Sequence, residues 1–213
     1  MAIKTILFDF DGTVANTNRL IIDSWQHVFR TVHGKEADEA DIKATFGEPL
    51  GISMVKNFPD MNSEDAIDMY RSHQKDIYED MIEPFPGMIE LLQGLKEKGY
   101  QVGIVTSRLR NSTMIGLRKF GIMEVIDCIV TCEDTDKHKP DPEPALIALE
   151  RLCAKAEETL MVGDSMFDIK CAHNAGMKAV MVGWAEAITE ADLTGPDRPE
   201  YCITKAEDLY DIL

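Results

Sequence analysis

The stretch Thr5-Ile6-Leu7-Phe8-Asp9-Phe10-Asp11-Gly12-Thr13 decides the fold. Thr5 to Phe8 is apolar and partly β-branched, the composition of a strand covered on both faces. Two carboxylates follow, at positions 9 and 11. Residues i and i+2 of an extended chain point the same way, so both acids face one place just past the strand's end. Gly12 lets the chain turn directly after them, having no Cβ to resist positive φ. In open α/β sheets, ligands sit beyond the carboxyl ends of the strands. Taken alone, Asp9 and Asp11 are also ordinary turn and cap residues. The rest of the chain decides between the two readings.

Outward from this stretch the pattern turns helical. Asn16-Thr17-Asn18 is a helix-start cluster, and Leu20, Ile21, Trp25, Val28, Phe29 and Val32 recur at helical spacing before Gly34. Residues 38–80 read as wholly helical: a segment from Asp38, a break at Gly47-Glu48-Pro49, a segment near 53–57, and a long helix capped by Ser63 and Asp65. No strand signal occurs between 14 and 82. The expected organisation is a four-helix insert, 16–82, in an α/β unit formed by 1–15 and 83–213. Glu83-Pro84-Phe85-Pro86-Gly87 is the return linker. Beyond it, strands are expected at 101–105, 125–131, 159–162, 179–182 and 201–204. Helices are expected at 88–98, 111–120, after Asp141-Pro142, at 166–175 and at the end of the chain, with 189–198 polar and turn-rich. Strands alternating with helices imply a doubly wound parallel α/β sheet.

The formal net charge is −16. Such a surface is a poor partner for nucleic acid or an anionic membrane. It also repels phosphate unless a metal and one or two Lys or Arg residues reverse the field locally. The five cysteines form no Cys-x-x-Cys pair and read as free thiols of a cytoplasmic protein. The N-terminus enters the first strand directly, without a signal peptide. No apolar run approaches the roughly 18 residues of a membrane helix.

Three further stations stand at or just after strand ends. Thr106 offers a hydroxyl and a backbone N–H, either to a phosphoryl oxygen or to cap the next helix. Lys139 precedes Pro140, which disfavours helical geometry; it either draws phosphate oxygens and offsets Asp9 or is a solvated surface lysine. Asp164 is placed to share a cation with Asp9 and the backbone of Asp11, and two carboxylates suit Mg²⁺. Ser165-x-x-Asp168 is also a capping box, so a metal role for Asp168 is secondary. In this reading Lys139 is the one fixed cation among Asp9, Asp11 and Asp164.

Together, D-F-D-G-T at 9–13, the Thr after a G-I-V strand, K-P-D-P at 139–142 and G-D-S-x-x-D at 163–168 resemble the haloacid dehalogenase-like phosphatases over nearly the whole chain. The resemblance implies a Rossmann-like core with strand order 5-4-1-2-3 and a helical C1 cap. It implies Asp9 as nucleophile, Asp11 as acid/base, Thr106 and Lys139 on the phosphoryl oxygens, and Mg²⁺ on Asp9, Asp11 and Asp164. Within the family, N-T-N-x-L-I-I at 16–22, G-E-P-L at 47–50 and T-S-R-L-R at 106–110 look like the PpaX-type pyrophosphatases, with phosphoglycolate phosphatases closely similar. The G-E-P-L break is either a specificity loop, with Gly47 and Glu48 at the substrate beside Ser107, or a plain inter-helix turn. The implied partner is a small phosphorylated molecule, and the expected state is a monomer or weak dimer. The β-phosphoglucomutase branch usually carries a cap His where this chain has Ile21, and often Val where it has Thr13. A catalytically silent relative would have lost a station, and every station here is filled.

Overall fold

The computed structural model describes residues 2–213; Met1, the first residue of the expected 1–15 segment, lies outside them. The chain begins with β1 (Thr5–Phe8) and the short β2 (Ala15–Asn16). Four helices follow: α1 (Asn18–His33), α2 (Glu39–Lys43), α3 (Leu50–Asn57) and α4 (Ser63–Met81). Then come β3 (Glu83–Pro84), α5 (Met88–Glu97), β4 (Gln101–Val105), α6 (Arg110–Lys119), β5 (Cys128–Val130) and α7 (Glu143–Leu152). The chain ends with β6 (Thr159–Gly163), α8 (Met166–Asn174), β7 (Lys178–Val182), α9 (Glu190–Thr194) and β8 (Tyr201–Ile203).

Six strands form one parallel sheet in the order β5-β4-β1-β6-β7-β8. This is the expected order with β8 added at one edge. β1 lies between β4 and β6, with Phe8 level with Ile104 and Val162, so the acids after β1 emerge at the middle of the sheet. All four β1 residues are buried. Ile6 and Phe8 pack on one face with Leu92, Leu95 and Ile104, while Leu7 packs on the other with Val105, Leu149 and Met161. Two-sided cover explains why β1 reads as a continuous apolar run rather than an alternating one.

The helical region has its own core of Trp25, Val28, Ile42, Met54, Phe58 and Tyr70. The chain enters and leaves this region side by side, where β2 and β3 pair antiparallel, Ala15 opposite Pro84 and Asn16 opposite Glu83.

Local departures have local causes. The third sheet strand is shorter than 125–131, because Met123–Val125 closes a 3₁₀ turn. The N-cap of α4 is Asn62, whose side chain accepts the Glu64 N–H at 2.8 Å, not Ser63. The 189–198 tail contains α9, started by a reciprocal Thr189–Asp192 capping box. The final helix is a 3₁₀ helix, Ala206–Asp211.

Candidate active site

The Asp9 N–H donates to Val162 O at 2.9 Å, continuing the β1–β6 ladder one residue past β1 and fixing the backbone from which the carboxylate projects. Asp9 Oδ1 accepts from Lys139 Nζ at 2.7 Å. The same ammonium donates to Asp168 Oδ1 at 2.5 Å and to Val105 O at 3.2 Å. An ammonium has three N–H donors, and here all three are matched. Lys139 is only 4% exposed, so it is not a surface lysine. Burial opposes its charge, but Asp168 and Asp9 outweigh burial and push its pKa upward.

Burial pushes the Asp9 carboxyl up to about 7; Lys139 opposes that shift, while Asp168 and Asp11 add to it. Burial raises Asp164 well above the ordinary carboxylate range, with Asp168 and Asp9 next in effect. Asp9, Asp164 and Asp168 each bring a carboxylate oxygen within 4.8 Å of the others. Asp168 is already committed: Oδ1 holds Lys139, and Oδ2 accepts from Ser165 Oγ at 2.6 Å in the capping box of α8. Asp164 is buried with no hydrogen bond or ion pair among the described residues. A Cβ on Gly12 would collide with the Asp164 carboxylate, so the glycine at φ 73° lets the turn after Asp11 close onto it. Asp9 and Asp164 thus form a two-carboxylate set that suits Mg²⁺.

Asp11 is held by a residue to which the sequence reading gave no role. Arg108 Nε lies 2.9 Å from Asp11 Oδ1 and 2.7 Å from Oδ2, and Arg108 Nη1 donates to Gln74 Oε1 of α4 at 3.1 Å. Its guanidinium also lies over the Tyr78 ring, 4.8 Å from the centroid. Lys139 is therefore not the one fixed cation. The site balances four carboxylates against two buried cations. The available signal was positional: Arg108 stands two residues past Thr106, in the same T-S-R-L-R run.

Thr106 is corrected in part. Its backbone N–H is not free, because the ladder with β5 runs one residue past β4 and uses it on Val130 O at 2.9 Å. Its hydroxyl caps no helix; Oγ1 accepts the Arg108 N–H at 3.2 Å, which leaves the hydroxyl proton for another acceptor. Ser107 is exposed on the same wall. Gly47, at φ 78°, brings the loop after α2 against α8: a Cβ there would lie 2.6 Å from Ser165 Cβ. Glu48 lines the cleft, but its carboxylate is turned to Ser53, at 2.5 Å, and to Lys56.

All nine sequence-derived residues border one cleft of about 160 Å³ between the sheet's carboxyl edge and the helical region. Asn18, Ile21, Trp25, Tyr70, Arg71 and Gln74 complete it from the helical side.

A buried acid cluster at the carboxyl edge of a parallel sheet, roofed by helices, stands where open α/β sheets bind their ligands. The family model described as haloacid dehalogenase-like hydrolase matches residues 6–182, and the chain belongs to that family. It is 39% identical over 213 residues to the pyrophosphatase PpaX of Halalkalibacterium halodurans, covering 100% of this chain and 98% of that protein. A candidate haloacid dehalogenase-like hydrolase from Bacteroides fragilis superposes with a TM-score of 0.89 at 30% identity, over 97% of this chain and 99% of that one. A candidate phosphoglycolate phosphatase from Lactobacillus plantarum superposes with a TM-score of 0.86 at 27% identity, over 100% of both chains. Among the described residues no helix is long and apolar enough to cross a membrane.

Proposed function

We propose that this hydrolase is a Mg²⁺-dependent phosphatase acting on a small phosphorylated molecule, inorganic pyrophosphate first and a phosphoglycolate-like monoester second. The observation that carries the reading is the buried Asp9–Lys139 pair, 2.7 Å apart at the open end of β1, with Asp11 two residues on and Asp164 alongside. Pyrophosphate ranks first because the full-length likeness is to a protein named a pyrophosphatase. Ile21 on the cleft wall, where a mutase would carry histidine, favours hydrolysis over phosphoryl return to a sugar.

Asp9 attacks phosphorus with the oxygen that Lys139 leaves free, and an aspartyl phosphate forms as the bond to the leaving group breaks. Asp11 gives its proton to the departing oxygen, then takes one from the water that hydrolyses the aspartyl phosphate. The Thr106 hydroxyl steadies an equatorial oxygen, Lys139 draws the phosphoryl oxygens by its charge while its three donors stay matched, and Ser107, Gly47 and Glu48 border the substrate. The Asp9 and Asp164 carboxylates and the Asp11 backbone would hold Mg²⁺, with Asp168 behind them. Bound there, it would neutralise charge on the transferring group. Residues 16–82 act as a cap on a core of 1–15 and 83–213, hinged near 14–17 and 82–87, and its closure keeps water out until the leaving group departs.

The deciding experiment is phosphate release with Mg²⁺ from pyrophosphate and a panel of small phosphate esters. Turnover of pyrophosphate above the esters is expected. No release from any of them by folded protein would end this reading.

A further inference from the structure

Three cations border the cleft, and two are committed. Lys139 is held by Asp9 and Asp168, and Arg108 by Asp11. The third, Arg71 on α4, is exposed and has no ion-pair partner among the described residues. Acids are not lacking: five carboxylates border the same cleft, and the chain carries −16. Glu48, on the helical side with Arg71, is tied instead to Ser53 and Lys56. Arg71 also has a fixed relation to the chemistry. It stands one helical turn before Gln74, the residue that touches Arg108, which in turn grips Asp11.

We propose that Arg71 receives a second anionic group on the substrate, so that the site selects small molecules charged at both ends. Suitable compounds are a phosphoanhydride with a second phosphate or a phosphate ester of a short hydroxy acid, as opposed to phosphate esters of neutral alcohols. The proposal rests on reading the cleft as a phosphatase site. Lys139 has no donor left for a second anion, and Arg108 is engaged by Asp11. Guanidinium is suited to the task, because it offers paired donors to phosphate or carboxylate. An acidic protein otherwise repels a doubly charged ligand, so a free cation at the mouth raises both selectivity and encounter rate.

The test uses the full chain with Mg²⁺ and compares wild type, Arg71→Ala and Arg71→Lys, with folding checked by circular dichroism. The ratio of kcat/KM for pyrophosphate to that for ethyl phosphate is expected to fall roughly 10- to 100-fold in Arg71→Ala and to recover partly in Arg71→Lys, the size of a charge-assisted contact. An unchanged ratio overturns the proposal. Calorimetric binding of methylenediphosphonate against orthophosphate repeats the comparison without turnover. Arg71→Ala should weaken the diphosphonate selectively, and equal weakening of both ligands, or of neither, overturns the proposal. A wild type that hydrolyses nothing while still showing this selectivity would remove the phosphatase reading and leave the Arg71 assignment standing.

Discussion

Arg108 grips both carboxylate oxygens of Asp11 through one nitrogen, Nε, at 2.9 and 2.7 Å. The rest of its guanidinium lies against Gln74 and Tyr78 of α4. The orientation of Asp11, a core residue, therefore depends on where the helical region sits. In the proposed acid/base role, Asp11 would be fully aligned only when α4 is close.

That coupling predicts a leaving-group signature. Asp11→Asn should depress turnover of poor leaving groups far more than of activated aryl phosphates, since only the former need a proton. Arg108→Gln should give a smaller loss in the same direction, on the order of tenfold. The double variant should be no worse than Asp11→Asn alone, because the two act through one group. Turnover numbers for an alkyl and a nitrophenyl phosphate decide it. Additive losses, or equal losses on both esters, would show that Arg108 does not act through Asp11.

For Asp9, the proposed nucleophile, Asp9→Asn keeps the shape and removes the attacking charge. Turnover should nearly vanish. The fold should persist, because Lys139 retains Asp168 and Val105 O as acceptors. Phosphate release and a thermal melt on the same preparation are the measurements, and release at the wild-type rate would discard the assignment.

Much of this site could be read from sequence because strand ends are locally encoded. The apolar run of β1, the i, i+2 acids and Gly12 all lie within nine residues, and Asp164 follows β6 by the same logic. What could not be read depends on pairing across the fold. Whether the Thr106 N–H is free depends on how far β4 and β5 stay in register, which neither strand's sequence states. Arg108 looks like any surface arginine until α4 brings Gln74 and Tyr78 over it. Arg71 is legible only as a cation that finds no acid. The missed α9 differs in kind: its Thr189-x-x-Asp192 box is written in the chain, but five residues are too few for helical periodicity to show.

Away from the site, Asp134 predicts an acid-labile contribution to stability. Its carboxylate accepts the Thr131 N–H and hydroxyl, both at 2.8 Å, and pairs with Arg110 and Arg151. Burial acts to raise its pKa, but the Thr131 N–H, Arg151, the Thr131 hydroxyl and Arg110 together hold it well below the usual carboxylate range. A depressed folded-state value means that the ionised form favours folding. The contribution is whole above the unfolded value of about 3.9 and fades as pH falls through the lower folded value. Asp134→Asn should cost roughly 1–3 kcal/mol at neutral pH. Urea titrations of both proteins should show the gap constant above about pH 5 and shrinking below about pH 4. A gap that widened on acidification would contradict the assigned direction.

The proposed Mg²⁺ separates two aspartates that stand side by side. Four carboxylates meet two buried cations here, and a phosphate dianion or pyrophosphate adds at least two more negative charges. Such crowding in a partly dry cleft requires a divalent ion. Activity should disappear with chelator and return with Mg²⁺. Ca²⁺, which takes more oxygen ligands and accepts looser geometry, should compete without restoring full turnover. Asp164 holds nothing else in place, so Asp164→Ala should leave the melting temperature almost unchanged while raising the Mg²⁺ concentration needed for half-maximal turnover at least tenfold. Asp168 is the reverse case. It anchors Lys139 and caps α8, so Asp168→Ala leaves a buried ammonium short of a partner and should cost about 3–5 kcal/mol of stability. Its Mg²⁺ requirement should move less than that of Asp164→Ala. The measurements are turnover against Mg²⁺ concentration and a thermal melt for each variant. Full activity in excess chelator would refute the metal dependence. If Asp164→Ala lost stability and Asp168→Ala lost Mg²⁺ affinity, the roles of the two aspartates would be exchanged.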